Sequence, residues 1–315
     1  MGIVLMALGL MLCAGAGAGA GPAAASPALQ KPAADTGAAT DLGYASATLT
    51  GSVDPHKNAT YYYFQYGPTG AYGLQTPLAE AGAGDATLAV KIAITGLSPL
   101  TIYHYRLVAV SSAGTTFGAG RSLKTTKVPL SLAIVASPDP VAFGGPVSIQ
   151  GTLSGTGNVN REVVLQSNVF PFTAGFVDVD NPELTSSTGG FSFVLLSLDL
   201  TSQFRVVTTA APAVVSPTVT ESVTVLLSAA HAPARRRHRV RIYGTVTPAE
   251  NGMSVDIVRL RDGRETVVAS ATLQPDGPDR SSYRASIRRR KGLYRVYAAV
   301  AGAQSAASSA PLFVR

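Results

Sequence analysis

The 315-residue sequence has no tryptophan, one cysteine and four histidines, and only 14% of its residues are charged. The cysteine, Cys13, lies in the first apolar stretch, so a chain cleaved beyond it has no thiol for a disulfide, a metal or a nucleophile. The histidines are scattered. Strand alternation places His104 on the solvent side, opposite to Tyr103 and Tyr105, while His231 and His238 flank a basic stretch with no carboxylate nearby to orient an imidazole. Neither a Gly-x-Ser-x-Gly turn nor a phosphate-cradling glycine loop occurs. A hydrolase needs an acid and a base converging in a cleft, and short strands joined by turns leave few carboxylates to form one. These absences point away from an enzyme and from a bound cofactor. After the first apolar stretch no run is long and apolar enough to span a bilayer, and no segment sustains helical periodicity.

What is present begins with a leader-like segment. No charged side chain precedes Lys31, Ile3 to Cys13 is apolar, and Ala23-Ala24-Ala25-Ser26 has the small residues of a signal-peptidase site. Residues 1–25 therefore read as a signal peptide, with a mature start between Ala20 and Pro27; the alternative is an uncleaved membrane anchor. Cleavage makes the protein secreted or cell-surface associated. Residues 26–40 are too poor in large apolar groups to fold and read as a flexible linker.

From Ala45 the pattern alternates with period two, which predicts half-buried strands. Ala47, Leu49, Gly51 and Val53 form one such run, and Tyr62, Phe64 and Tyr66 another. One pair of signatures then occurs three times. A glycine inside an alternating strand (Gly51, Gly151, Gly244) is followed by an aromatic-Arg-aliphatic triplet: Tyr105-Arg106-Leu107, Phe204-Arg205-Val206 and Tyr294-Arg295-Val296. The glycine-to-arginine spacing is 55, 54 and 51 residues. An all-β unit of roughly a hundred residues has been laid down three times. The predicted fold is three tandem immunoglobulin-like or fibronectin type III-like β-sandwiches, at residues 41–126, 128–227 and 235–315, with Ala229 to Arg237 as an extended linker before the third.

The first module carries the most specific motif. Leu97-Ser98-Pro99-Leu100-Thr101-Ile102-Tyr103 resembles the corner between strands E and F of fibronectin type III domains, of the kind found in exported actinobacterial proteins. The resemblance covers residues 41–126 and departs from animal modules in lacking a strand B tryptophan. It implies that Tyr103 is buried, with its hydroxyl bonded to backbone between Leu97 and Thr101. The second and third modules resemble bacterial immunoglobulin-like sandwiches through less specific motifs.

Three features are candidate binding sites. Asp178, Asp180, Asn181 and Glu183 offer oxygens within six residues, read either as a calcium-wrapping loop or as a solvated turn. Tyr61 and Tyr63 face outward if Tyr62 and Phe64 face in, and exposed tyrosines stack on sugar rings or on cross-strand neighbours. The strongest is charge. Residues 227–315 hold 16 Arg or Lys against 6 Asp or Glu, whereas residues 1–226 hold 9 against 12. Two clusters dominate, Arg235, Arg236, Arg237, Arg239 and Arg241, and Arg288, Arg289, Arg290 and Lys291. Such an asymmetry attracts polyanions, here anionic cell-wall polymers or lipid head groups; the competing reading is a solvated face enriched in arginine by codon usage. Arginine interleaved with exposed aromatics is missing, and export disfavours a nucleic-acid target. The functional expectation is an exported, non-enzymatic binding or adhesion protein of the bacterial surface. Its rivals are a structural spacer and a carbohydrate-binding accessory protein.

Overall fold

A computed structural model describes residues 29–315 apart from 180, 301 and 303, and every regular element among them is a β-strand. The expected signal peptide lies outside the described residues. No described helix is long and apolar enough to cross a membrane. The chain divides into two compact units, one ending at Thr126 and the other spanning Lys127–Arg315.

The first unit packs a three-stranded sheet (Ala33–Thr36, Ser46–Asp54, Leu88–Thr95) on a six-stranded sheet centred on Thr60–Gly67 and Ile102–Ser111. Alternation sends Leu49, Val53, Val90 and Ile94 from one sheet, and Phe64, Tyr105 and Leu107 from the other, into one core. Full burial of each such side chain contributes about 1.5–3 kcal/mol. Tyr103 is 7% exposed, and its hydroxyl accepts a hydrogen bond from the Ser98 N–H at 3.0 Å, which is the corner the Leu97-Pro99-Tyr103 motif predicted.

The second unit holds two further sandwiches, each with its own core. One packs Ser131–Ser137, Gly145–Ser154 and Gly190–Leu198 against a sheet centred on Glu162–Val169 and Ser202–Thr208, burying Ile149, Leu165, Phe193 and Phe204. The other packs Arg239–Thr247 and Ser281–Arg288 against Ser254–Arg261 and Gly292–Ala298, burying Ile242, Ile257, Tyr294 and Val296.

The repeated signatures have one structural meaning. A Cβ on Gly51 would stand 2.6 Å from the Asp35 carbonyl oxygen, one on Gly151 2.5 Å from that of Ala133, and one on Gly244 would collide with that of Ser228. In each sandwich the first strand passes over this glycine, so a side chain there has no room. The triplets sit on the central strand of the opposing sheet, with both apolar residues inward and the arginine outward. Arg106 Nε donates to Gln65 and Arg205 Nε to Gln166, both at 2.8 Å across the ladder. Each guanidinium also covers an aromatic ring, Phe117 at 4.2 Å and Phe176 at 4.1 Å. In the third sandwich Val258 stands opposite Arg295, and Arg295 turns to Tyr297 and Glu265.

Two boundaries need correction. Residues 26–40 are not a free linker: Ala33–Thr36 is a strand paired with Ser46–Asp54, and the Tyr105 hydroxyl donates to the Gly37 carbonyl and accepts from the Ala39 N–H. Small residues suit this edge because it lies against Gly51. Likewise Ala229 to Arg237 is not a linker. Ala230–Pro233 pairs with Arg239–Thr247 as a hairpin, and Val225 belongs to the third core, so that sandwich begins about ten residues before 235. Only 235–238 forms the hairpin tip.

Candidate functional site

Register brings the two basic clusters together. Arg239–Thr247 and Ser281–Arg288 are neighbouring antiparallel strands in which Arg239 stands directly opposite Arg288, Arg241 opposite Ser286, and Tyr243 opposite Arg284. Val240, Ile242, Tyr283 and Ile287 fill the core, so period two turns Arg239, Arg241, Tyr243, Arg284 and Arg288 to solvent, all of them exposed. The Arg289 N–H donates to the His238 carbonyl at 2.7 Å, which ties the hairpin tip carrying Arg235, Arg236 and Arg237 to the Arg288–Lys291 turn. The nine candidate cations thus gather around one end of this sheet, Arg239, Arg241 and Arg288 on its outer face and the others in the hairpin tip and in the turn after Arg288.

Like charges directly opposite one another in a sheet repel. Here the repulsion is met by hydrogen bonding rather than by counter-charge. The Arg239 guanidinium donates to the Ser286 hydroxyl and carbonyl, and Arg289 Nε donates to the Arg315 carbonyl at 2.9 Å. None of the nine has an Asp or Glu partner in an ion pair among the described residues; the pairs in this sandwich are made by Arg261 with Asp262, Arg280 with Asp276 and Arg295 with Glu265. The nine cations themselves therefore carry their charge without a paired Asp or Glu side chain.

Three arginines that sequence clustering missed stand close to these clusters. Arg284 joins them from the middle of its strand. Arg259 and Arg261, with Arg288 and Arg290, line a pocket of about 400 Å³ that has no acidic side chain in its wall. Arg259 is held there by donating to the Lys291 carbonyl at 2.9 Å. A larger groove, about 810 Å³, is lined by Arg241, Tyr243 and Arg284 together with hydroxyl and amide side chains and Asp276, so an exposed aromatic does stand among the arginines, contrary to the sequence expectation. The signal for Arg284 was its period-two spacing from Arg288; Arg259 and Arg261 gave none, because they come from the facing sheet.

The other candidates belong to the first and second sandwiches. In the second sandwich Asp178 accepts from the Gln166 amide at 2.9 Å, and among the described residues no group of three or more His, Cys, Asp or Glu could hold a metal ion; residue 180 lies outside that set. In the first unit Tyr61 is 40% exposed on the outer face, with Tyr63 half-buried beside it. Phe170 and Phe172 meet edge to face at 5.6 Å at the rim of the second sandwich.

The fold and this face define a tandem immunoglobulin-like and fibronectin type III-like sandwich protein with one basic module. No protein-family model matches the chain, and no curated protein matches it. Among solved structures, it is similar to a marsupial T cell receptor (12% identical, TM-score 0.30, covering 88% of this chain and 98% of that one). It is also similar to the chicken CNTN1 FN1-FN3 domains (14%, TM-score 0.28, 89% and 98%). A third is a tetra-tandem repeat in the extending region of a large adhesion protein (16%, TM-score 0.32, 90% and 74%). At these identities and scores the fold assignment rests on the chain's own sheets and cores.

Proposed function

We propose that the protein is an exported, non-enzymatic binding or adhesion module of the bacterial surface whose third sandwich engages anionic polymers. The observation that carries this reading is the register that sets Arg239 opposite Arg288 and so brings the hairpin tip of one cluster beside the turn of the other. Attraction of this kind is diffuse, so it weakens as added salt shortens the screening length from about 10 Å at 0.1 M. Full-length protein titrated with a linear polyphosphate at low and high salt tests it. Binding is expected at low salt, with a steep decline at high salt and a marked loss in the Arg288→Ser, Arg289→Ser, Arg290→Ser triple variant. No binding at low salt, or binding insensitive to both salt and substitution, overturns it.

One observation favours a spacer role as a second reading. Within the second unit the Ser305 N–H donates to the Val223 carbonyl at 2.6 Å, and the Gln304 amide donates to the Asp199 carbonyl at 3.1 Å. These bonds tie the third sandwich to the second beyond the covalent connection, as a stiff spacer requires.

A further inference from the structure

The groove lined by Arg241, Tyr243 and Arg284 has a chemistry that charge alone does not explain. Its volume, about 810 Å³, falls in the range of roughly 300–1,000 Å³ typical of small-ligand sites. It contains an aromatic ring, Tyr243, 39% exposed, with the Arg241 guanidinium over the ring at 5.4 Å from its centroid. Arg284 stands directly opposite Tyr243 on the neighbouring strand. Around them are uncharged hydrogen-bonding groups, Thr245, Ser270, Thr272 and Gln274. The one carboxylate in the wall, Asp276, is already paired with Arg280 at 3.0 Å.

We propose that this groove binds a sugar ring of an acidic polysaccharide. It rests on the arginine-face reading and deepens it by naming the polymer. An aromatic ring gives the apolar face of a pyranose a surface to stack on while sugar hydroxyls remain free to hydrogen-bond. The hydroxyl and amide lining supplies partners for those sugar hydroxyls, and the planar guanidiniums of Arg241, over the ring, and Arg284, on the neighbouring strand, suit a carboxylate in bidentate geometry. From Arg284 the same strand face continues through Ser286 to Arg288, each step of two residues advancing about 7 Å. Beyond it lies the pocket of Arg259, Arg261 and Arg290. Because Arg241 stands opposite Ser286, a chain with an acidic group on successive rings meets a cation at each step of this track on one strand or the other. A phosphate polymer uses the arginines but has no ring to lay on Tyr243.

The test compares full-length protein binding to a polyuronate, a linear polyphosphate of equal charge concentration and an uncharged polyglucose. The variants are Tyr243→Val, which keeps a strand-forming side chain but removes the ring, Tyr243→Phe and Arg284→Gln, each checked for an unchanged thermal midpoint. The expected result is that Tyr243→Val weakens polyuronate binding about tenfold and polyphosphate binding by less than about twofold, with Tyr243→Phe near wild type. Arg284→Gln, an exposed change that leaves the core untouched, is expected to weaken polyuronate binding several-fold. Polyglucose should bind far more weakly than polyuronate. Equal losses on both polyanions, or an unchanged polyuronate affinity in Tyr243→Val and Arg284→Gln, overturns the sugar groove and leaves the arginine face standing. Failure of both polyanions to bind at low salt removes both readings.

Discussion

Four buried or half-buried tyrosine hydroxyls act as backbone clamps, and they differ in how far along the chain they reach. Tyr103 and Tyr294 hold segments four or five residues away, through Ser98 and Arg290. Tyr105 reaches 66 and 68 residues back, to Ala39 and Gly37, and Tyr283 reaches 55 back to Ser228. Burial pushes the Tyr105 hydroxyl above the ordinary phenol range, with the Ala39 hydrogen bond acting against the rise, so it stays neutral as both donor and acceptor. Tyr103→Phe removes one bond and should cost about 1 kcal/mol, whereas Tyr105→Phe strands both a carbonyl and an N–H and should cost about 2 kcal/mol. Urea unfolding of the two variants checks the order; a smaller loss at Tyr105 would contradict the clamp. This contrast also explains what could be read from residues alone. The Tyr103 corner is a local motif, so its partner was predictable to within a few positions. The partners of Tyr105 lie in an Ala-Gly-Thr stretch whose composition says nothing of a strand.

At the scale of elements, the repeated glycines mark where the first strand of each sandwich crosses the second. Gly151→Ala drives a methyl into the Phe191 ring and the Ala133 carbonyl, and Gly244→Ala into Ser228 and the Tyr283 hydroxyl. Overpacking of this kind should cost about 1–3 kcal/mol. Gly70→Ala is the control, because a Cβ there meets nothing within 4 Å and Gly70 is not among the glycines with a left-handed φ; its effect should stay within about 0.5 kcal/mol. Thermal or urea unfolding of the three variants separates the cases, and an equal cost at Gly70 would sink the close-approach account. The glycines were visible as a spacing, but their reason was not, since the colliding carbonyls of Asp35, Ala133 and Ser228 are brought over them only by strand pairing. The all-β architecture was legible because alternation persists in the inner strands. The edges were not, as Ala33–Thr36 and Ala230–Pro233 carry almost no apolar signal and form by pairing with a neighbour. The basic face was half legible: runs of arginine showed in the sequence, whereas Arg284, Arg259 and Arg261 are brought in by register and by the facing sheet.

Across the whole molecule, charge is divided by position, with cations gathered around one end of a sheet in the third sandwich and one acid sealed inside the second. Glu221 is fully buried next to Val223, and neither carboxylate oxygen has a hydrogen-bond partner among the described residues. Desolvation first, and the negative charge of Asp139 second, push its pKa from the ordinary 4.5 up to about 7. The folded chain therefore holds a proton on this group at pH values where the unfolded chain has released it. Its contribution to stability is fully present below about pH 4.5, declines as pH rises, and is lost once pH passes about 7. Between pH 5 and pH 8 the second unit should lose stability on the order of 1–3 kcal/mol from this group alone. Glu221→Gln has nearly the same shape without the titrating proton, so it should flatten the decline and be more stable than the parent chain at pH 8. Urea unfolding of parent and variant at pH 5, 6.5 and 8 measures this directly. Parallel pH profiles for the two proteins would show that the Glu221 carboxylate is solvated, and would remove the buried acid as the source of any pH dependence.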